Sequence, residues 1–462
     1  MTVTTKAIET VELHIDRNYF QILSIFSGCL ISLLSGTLLA WPSPFIVKII
    51  QDETYSITEA EASYFTVIQP LGMCVFSPFF VPVTNSIGRK RTTLIAAIPL
   101  MTSLLIKAFA KNVWLLYLSR FLAGAGDAIV FSSLPSYIGE ISTPKVRGIW
   151  GNVFICSVFF GQFVMNIVGS YFSVQNTSFI LLIIPIAFLL TFSFMPESPY
   201  FYTMKGKYIE AKESLQRLRR TKDVDNEFED IKIAVERQMK ESGTWKDLVT
   251  VKANRKALVA LLFLRTSQTF TGIYVFAAYT QFIFEKAGGN FSAQTSAILY
   301  TGLTFLMYSI SSSFSDKLGR RVAFITSMFL ASIVVFAEAT YFLIDIKYKS
   351  VDLSDLQWFP LAGMLTFVIV SSFGVGIIPT LMYSELFSAS VKAQGISAAT
   401  VAFSLISILV NNIFYYFNAA TGLYGPFFLF GCSNVLSTAI AYFLIPETKG
   451  KTLEEIQQML KK

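Results

Sequence analysis

The sequence predicts an all-α membrane protein with twelve transmembrane helices arranged as two six-helix halves. The 462-residue chain is 53% apolar and 15% charged, with a mean hydropathy of +0.56, far from the average soluble protein. Twelve apolar runs each have about the length that a helix needs to cross a hydrocarbon core of about 30 Å. Motifs that border these runs recur in the same order in both parts of the chain.

The apolar runs define the predicted domain organisation. The first six form an N-terminal six-helix bundle within residues 1–195, and the last six form a C-terminal six-helix bundle within residues 257–445. A polar helical bridge, residues 196–256, separates the two bundles, and a tail follows at 446–462. The runs are 20–41, 62–83, 92–110, 114–138, 149–172, 177–195, 257–284, 294–315, 321–344, 358–383, 394–417 and 424–445.

The positions of lysine and arginine predict that the bridge and both termini lie in the cytoplasm. Apolar residues recur in the bridge at helical spacing among many charges, which indicates short amphipathic helices at a surface in contact with water. Outside the bridge, the segments assigned to the inner side hold 15 lysines and arginines, against 6 in the segments assigned to the outer side. This bias agrees with the positive-inside rule for multi-pass membrane proteins.

Composition argues against several classes of function. The net charge of +7 does not indicate nucleic-acid binding, because the basic residues lie in short patches between apolar runs. The four cysteines lie inside apolar runs, so we expect packed thiols and no disulfide framework. The one histidine, His14, lies in the N-terminal tail, and no metal site or cofactor is expected. No set of paired carboxylates, or of nucleophile and base, indicates an enzyme.

An internal repeat relates the two halves. Each motif of the first half has a counterpart 231 to 250 residues later. The counterparts are Gly88-Arg89-Lys90-Arg91 with Gly319-Arg320-Arg321, Glu140 and Arg147 with Glu385 and Lys392, and Pro196-Glu197 with Pro446-Glu447. Two six-helix halves related in this way are the layout of a major-facilitator transporter, in which the substrate binds between the halves near the membrane midplane.

On these motifs the chain resembles the sugar porter family of the major facilitator superfamily, over nearly its whole length. The bridge and the short outer loops are similar to those of insect facilitated trehalose transporters. The resemblance implies a plasma-membrane carrier that moves trehalose or a hexose by alternating access, with a small sugar or polyol as its partner and the lipid bilayer as its surroundings. The other matching segments are Arg120-Phe-Leu-Ala-Gly124-Ala-Gly126, Pro135-Ser-Tyr137-Ile-Gly-Glu140, Pro196-Glu-Ser-Pro-Tyr-Phe and Pro446-Glu-Thr-Lys-Gly-Lys-Thr-Leu-Glu-Glu-Ile.

Charged residues at the cytoplasmic helix ends predict a gating network. Ion pairs and hydrogen bonds to helix ends can join the two halves while the protein opens outward, and they must break when it opens inward. The alternative is that these charges only orient the helices. Asn85 stands where the family has an acidic residue, so the first-half network has one negative charge fewer. The members are Arg89, Glu140, Arg147, Asp316, Arg320, Glu385 and Lys392.

The resemblance places the substrate site mainly on the second half, where this sequence departs from the family. The seventh run has Gln268, Thr269 and Tyr274 where family members usually have Gln-Gln-x-x-Gly-x-Asn. Other departures are Thr304 in place of an asparagine, Thr380 in place of a tryptophan and Phe403-Ser404 in place of Asn-Trp. The predicted substrate-binding residues are Gln268, Thr269, Tyr274, Thr304 and Thr380, and the alternative is that they only pack.

These departures bear on affinity. At about 1 kcal/mol for each neutral hydrogen bond, four or five lost partners amount to about 4 kcal/mol, which is most of a millimolar affinity. Two interpretations remain open at this point. Either the sugar sits differently, with Tyr274 or Tyr279 as a partner, or the substrate has fewer hydroxyl groups.

Intramembrane charges raise the question of coupling. Proton-driven sugar porters typically have an acidic residue in the first run, and the corresponding stretch here, 35–42, has none, which favours a facilitative uniporter. The candidate coupling residues are Arg120 and, seven residues later, Asp127. Asp127 is an intramembrane carboxylate and therefore a functional candidate. It either fastens helices or couples protons in a sugar or polyol symporter. Glu338 in the ninth run is another candidate for coupling, although it is expected to be a peripheral charge near the outer interface. A further alternative is a ligand sensor with a transporter fold that does not transport.

Overall fold

The computed structural model describes residues 2–143, 146–240, 243–387, 391–449, 451 and 453–461. Within these ranges the chain forms α-helices and one short 3₁₀-helix (Ser354–Leu356), with no strand. Every predicted apolar run lies on one helix or on two or three consecutive helices. Nine helical segments of the described residues are long and apolar enough to cross a membrane. The seventh, eighth and tenth runs are not among these nine. The seventh and tenth runs are each divided among several helices.

The first six apolar runs lie on seven helices, and an eighth helix follows the first run directly. The first run continues past Trp41 as a second helix, which starts at Pro42 because proline suits the first position of a helix. The sixth run is divided between two helices at Leu182. The bounds are α1 (Thr2–Ala40), α2 (Pro42–Gln51), α3 (Glu59–Ile87), α4 (Arg89–Phe109), α5 (Val113–Ile141), α6 (Arg147–Tyr171), α7 (Val174–Leu181) and α8 (Ile183–Phe192).

The bridge contains four helices: α9 (Pro199–Met204), α10 (Tyr208–Arg219), α11 (Asp225–Lys240) and α12 (Trp245–Thr250). Helices α9 to α11 enclose a small apolar core that includes Leu215, Phe228 and Ile231. Arg219 ties this part to the first half, because its guanidinium donates to Gln21 Oε1 at 2.6 Å and to the carbonyl of Ile141 at 3.0 Å. In contrast, α12 packs against helices of the second half. We call this face of the protein the bridge side.

The second half is more often interrupted. Gly272, with a φ of +96° that favours glycine, separates the first two helices of the seventh run. The tenth run is interrupted between Phe373 and Ile377. The bounds are α13 (Lys252–Phe270), α14 (Ile273–Ala278), α15 (Thr280–Ala287), α16 (Ala293–Leu318), α17 (Arg320–Lys347), α18 (Phe359–Ser372), α19 (Ile378–Leu386), α20 (Lys392–Thr421), α21 (Tyr424–Leu444) and α22 (Leu453–Lys461).

Glycines allow the helices of the first half to approach closely. A side chain at Gly36 or Gly161 would overlap the backbone of the partner helix where α1 crosses α6. Gly72 and Gly124 have the same role where α3 crosses α5. Small residues at such crossings are typical of membrane helix packing. The two halves meet along α3 with α20 and along α6 with α16.

The cysteines agree with the predicted absence of disulfides, since all four carry free thiols. Cys29 is buried, and Cys74 and Cys156 are half-buried. Cys432 is exposed on α21, so the expectation of a packed thiol is wrong at this position. An apolar run indicates that a residue lies in the membrane, but it does not determine which side of the helix faces other helices.

Candidate transport site

Five residues of the second half form a polar and aromatic group, which we call the C-half cluster: Arg265, Gln268, Tyr274, Thr380 and Phe403. The guanidinium of Arg265 donates to Gln268 Oε1 at 2.7 Å and to Thr380 Oγ1 at 3.4 Å. It lies over the ring of Phe403, with 5.5 Å from Cζ to the ring centroid. Tyr274 meets the same ring nearly edge-on, with 4.9 Å between ring centroids. The cluster therefore joins α13, α14, α19 and α20.

The interruption of the tenth run explains the position of Gln268. Its Nε2 donates to the carbonyl of Gly376 at 2.8 Å, within the segment that separates α18 from α19. A carbonyl at a helix break in the membrane needs a donor from outside its own helix. Gln268 is buried, with 1% of its surface exposed. Both ends of its amide therefore have protein partners in this structure.

The structure brings only part of the predicted substrate-binding set together. Gln268, Tyr274 and Thr380 belong to the C-half cluster. The hydroxyl of Thr269 donates to the carbonyl of Arg265 at 2.9 Å, and that of Thr304 donates to the carbonyl of Tyr300 at 2.7 Å. Such bonds to the preceding helical turn are the local partners expected of a threonine in a helix. They fit the alternative in which Thr269 and Thr304 pack, although their role in binding remains a prediction.

Asp127 lies at the centre of a polar group in the first half. Its carboxylate accepts from Ser35 Oγ of α1 and from Gln69 Nε2 of α3, both at 2.5 Å. The residue has no exposed surface. Arg120 and Lys107 lie near enough to interact with it electrostatically. Asp127 therefore links three helices of one half.

Arg120 and Lys107 surround Trp41. The guanidinium of Arg120 donates to the carbonyls of Phe65, at 2.8 Å, and of Leu38. Its Cζ lies 5.6 Å from the Trp41 ring centroid, and the ammonium of Lys107 lies 5.2 Å from it. Lys107 has 1% of its surface exposed, so its side chain lies inside the bundle, and the side of the membrane assigned to it stays a prediction. Lys107 lies near a helix end in the sequence, and this position does not indicate that its side chain points into the bundle.

The two halves are joined on the face opposite the bridge, where α2 and α15 pack together. Tyr279 Oη and Thr66 Oγ1 share a hydrogen bond of 3.1 Å. The sequence predicts no role for Gln281. In the structure its backbone N–H donates to Ser43 Oγ at 3.3 Å, and its Nε2 donates to Ser170 Oγ at 2.7 Å. We call these bonds the closed-side contacts.

Two exposed links accompany the closed-side contacts. Lys286 pairs with Glu59 at 3.2 Å, and Gln51 donates to Glu285 at 3.3 Å. Tyr279 was considered above as a partner of the sugar, but in this structure it is buried between the halves with 2% of its surface exposed. The signal for this region in the sequence was a set of polar residues inside or beside apolar runs. Each of these residues has its partner more than 100 residues away in the chain, so the sequence did not indicate which residues would pair.

Replacing Tyr279 by phenylalanine is expected to loosen the closed side. The substitution removes one buried neutral hydrogen bond between the halves, worth about 1 kcal/mol, which corresponds to about fivefold in the opening equilibrium. Hydrogen exchange of the α15 amides in the purified protein measures this opening and should be faster by about that factor. Tyr64→Phe is the control, because Tyr64 lies on the same helix as Thr66 and has 40% of its surface exposed. Unchanged exchange in α15 would show that the Tyr279 bond does not hold the halves together.

On the bridge side, each half has its own ion pair. Arg89 Nε lies 3.0 Å from Glu140 Oε1 in the first half, and Arg320 Nη2 lies 3.0 Å from Glu385 Oε1 in the second. A hydroxyl donates to the other oxygen of each glutamate, from Ser198 in the first half and from Thr448 in the second.

A second glutamate in each half caps the helix that carries the arginine. Glu197 accepts the N–H of Lys90 at 2.9 Å, and Glu447 accepts the N–H groups of Arg320 and Arg321 at 2.9 and 3.1 Å. Burial raises the pKa of Glu447, but donation from backbone N–H groups outweighs it and lowers the pKa below its usual value. We call these groups the N-half clamp (Arg89, Glu140, Glu197, Ser198) and the C-half clamp (Arg320, Glu385, Glu447, Thr448).

Of the predicted gating network, Arg89 and Glu140 thus pair within the first half, and Arg320 and Glu385 pair within the second. The predicted connection between halves concerns the state that is open on the opposite face, and it stays a prediction. Lys392 is the first residue of α20. The side chains of Arg147 and Asp316 lie outside the described part of the structure.

Glu338 is a buried carboxyl group, so the expectation of a peripheral charge is wrong. It has no exposed surface, and neither carboxyl oxygen has a hydrogen-bond partner among the residues that the structure describes. Gly363 makes room for it, because a Cβ at that position would overlap Glu338 Oε1. The orientation of α17 turns this residue toward α18.

Replacing Glu338 by methionine is expected to stabilise the protein. A buried carboxyl group without donors is unfavourable, and an apolar side chain of similar size removes that penalty, by about 1–4 kcal/mol in comparable buried sites. The measurement is thermal unfolding of the purified protein in detergent. Glu53→Met, at an exposed loop position, is the control and should change the melting temperature little. A lower melting temperature for Glu338→Met would mean that the carboxyl group has a stabilising partner.

Comparison with known proteins places this architecture in a family. The sugar (and other) transporter family matches residues 30–460. The chain is 31% identical to the facilitated trehalose transporter Tret1 of Polypedilum vanderplanki over 449 residues, which are 96% of this chain and 88% of that protein. It is 30% identical to Tret1 of Aedes aegypti over 446 residues, which are 95% of this chain and 55% of that protein.

Solved structures support the same fold. The major-facilitator proton:xylose symporter XylE bound to 6-bromo-6-deoxy-D-glucose superposes with a TM-score of 0.77 at 19% identity, covering 96% of this chain and all of that one. A partially occluded inward-open form of the xylose transporter XylE from E. coli gives a TM-score of 0.76 at 19% identity, with 94% and 100% covered. The predicted fold class is thereby confirmed as the twelve-helix major-facilitator fold. This multi-pass membrane protein belongs to the sugar transporter family.

Proposed function

We propose that the protein is a facilitative carrier of a sugar, such as trehalose or a hexose, and that it works by alternating access. The observation that carries the proposal is the asymmetry of the contacts between the halves. On the face opposite the bridge, hydrogen bonds join the halves directly, whereas the bridge-side ion pairs described above each stay within one half. A rocking carrier needs contacts of this kind, which close one face and break when that face opens.

The strength of the closed-side contacts suits a reversible gate. They are hydrogen bonds between neutral groups, supplemented by links in contact with water, and each contributes about 1 kcal/mol or less. A few such contacts can hold one face closed without preventing its opening. The named relatives, which are trehalose transporters, support a sugar as the substrate.

A uniporter is favoured over a proton symporter by the surroundings of Asp127. Its carboxylate has two donors, Ser35 and Gln69, and two basic side chains nearby. These groups hold the carboxyl group in place and fasten α1, α3 and α5 together. The second candidate, proton coupling through Asp127, has one observation in its favour, which is that a buried carboxylate in the membrane is costly to retain.

Counterflow in proteoliposomes tests the proposal. Vesicles that contain the purified full-length chain are loaded with unlabelled trehalose or glucose, and uptake of the labelled sugar is followed. We expect transient accumulation of label, and an imposed pH gradient should leave the rate unchanged. Binding without exchange would instead support a sensor. A pH response that disappears in Asp127→Asn would support the symporter.

We further infer a plasma-membrane location with both termini and the bridge in the cytoplasm, and the positive-charge bias supports this orientation. Epitope tags at the two termini, probed with antibody before and after permeabilisation of intact cells, test it. Detection should require permeabilisation at both ends. Detection of either tag on intact cells would overturn the assignment.

A further inference from the structure

Two arginines lie within the predicted membrane runs, and their surroundings differ. Arg120 donates to backbone carbonyls and has Asp127 nearby, so its role in holding the first half together is clear. The contacts of Arg265 include Gln268, Thr380 and Phe403, which lie on three helices of the second half. Arg265 is buried, with 8% of its surface exposed. A buried arginine in a membrane helix is costly and is a functional candidate by default.

The chemistry of this group suits an anion attached to a polar ring. A guanidinium is planar, keeps its charge at any physiological pH and binds a carboxylate through two parallel hydrogen bonds. In a water-poor site this attraction is stronger than at a surface. Around it, the Gln268 amide and the Thr380 hydroxyl are suitable partners for sugar hydroxyls, and the rings of Tyr274 and Phe403 offer apolar faces.

We propose that the C-half cluster binds a sugar acid, with Arg265 holding its carboxylate group. The inference rests on the proposed function, since it takes this cluster as part of the transport site. It also resolves the affinity problem that the sequence raised. One charge-assisted, bidentate contact compensates for several neutral hydrogen bonds, which are lost where this sequence departs from the family motif.

Competition and counterflow with glucuronate as the probe test the inference on the full-length protein in proteoliposomes. Glucuronate should exchange at least about tenfold faster than glucose at equal low concentration. Arg265→Gln should reduce glucuronate exchange by about tenfold or more and should reduce glucose exchange by a smaller factor. Arg265→Lys keeps the charge but loses the planar guanidinium, so its glucuronate exchange rate should lie between those of the wild type and Arg265→Gln. Lys222→Gln, at an exposed bridge position, is the control and should change neither rate.

Thermal unfolding measures ligand binding independently of transport. It also shows whether a variant fails to transport because it folds poorly. Glucuronate should raise the melting temperature of the wild-type protein more than glucose does, and Arg265→Gln should lose that difference. If neutral sugars exchange and glucuronate neither exchanges nor stabilises the protein, this inference is wrong and the carrier stands. If no solute exchanges but glucuronate stabilises the wild type alone, the carrier is wrong and this site stands. Equal effects of glucuronate on wild type and Arg265→Gln would overturn the site.

Discussion

Replacing Gly124 by alanine is expected to destabilise the protein strongly and to reduce the yield of folded carrier. A Cβ at this position would overlap the backbone oxygen of Gln69 and lie 2.8 Å from the backbone nitrogen of Met73. These are backbone atoms of α3, so no change of rotamer can relieve the overlap, and α3 and α5 must move apart. Overpacking of a tight site costs about 1–3 kcal/mol and occasionally more. Movement of Gln69 would also disturb its hydrogen bond to Asp127.

Gly139→Ala is the matched control for this prediction, because Gly139 lies on the same helix and a Cβ there meets no atom within 4 Å. Alanine at an open helical position should stabilise the protein slightly, by up to about 1 kcal/mol. Thermal unfolding in detergent and size-exclusion profiles of both variants are the measurements. If the two alanines lower the melting temperature equally, the close approach of α3 and α5 is not what makes Gly124 necessary.

Replacing Glu140 by glutamine is expected to reduce transport by at least about tenfold. Only 6% of the Arg89 side chain and 19% of the Glu140 side chain are exposed. The substitution therefore leaves the charge of Arg89 without its carboxylate partner in a place that little water reaches. Removing one member of a buried ion pair costs about 3–5 kcal/mol, and the partial exposure of Glu140 brings the expected cost toward the lower end. The C-half clamp has the same arrangement, so Glu385→Gln should have a similar effect.

Initial uptake rates and melting temperatures together test the role of the clamps. Glu210→Gln is the control, because the Lys207–Glu210 pair spans 3.9 Å at the surface with about half of each side chain exposed. Loss of such a pair changes stability by about 0–1 kcal/mol. Uptake that falls equally in Glu210→Gln would mean that general surface charge, and not the clamp, supports transport. Normal uptake in both Glu140→Gln and Glu385→Gln would mean that the clamp residues only orient the helices.

The repeat in the sequence identified most of the clamp residues, but it did not determine how they pair. Arg89 and Glu140 are 51 residues apart, and Arg320 and Glu385 are 65 apart, so no local pattern brings them together. Equivalent spacing in the two halves predicted equivalent roles. Pairing within each half emerged only from the packing of helix ends against the segments that begin at Glu197 and Glu447.

By itself, the sequence determined the class of protein, the position of its helices and its family. These features depend on composition, on the length of apolar runs and on motifs of a few residues, which are all local properties. The tertiary structure alone decided that Arg265 meets Thr380 and Phe403, that Asp127 receives donors from two other helices, and that Glu338 is buried. The physical reason is that hydropathy indicates membrane depth, whereas the partner of a side chain depends on how its helix is rotated and where neighbouring helices break. Those contacts join residues that are distant in the chain, so they exist only once the helices have packed.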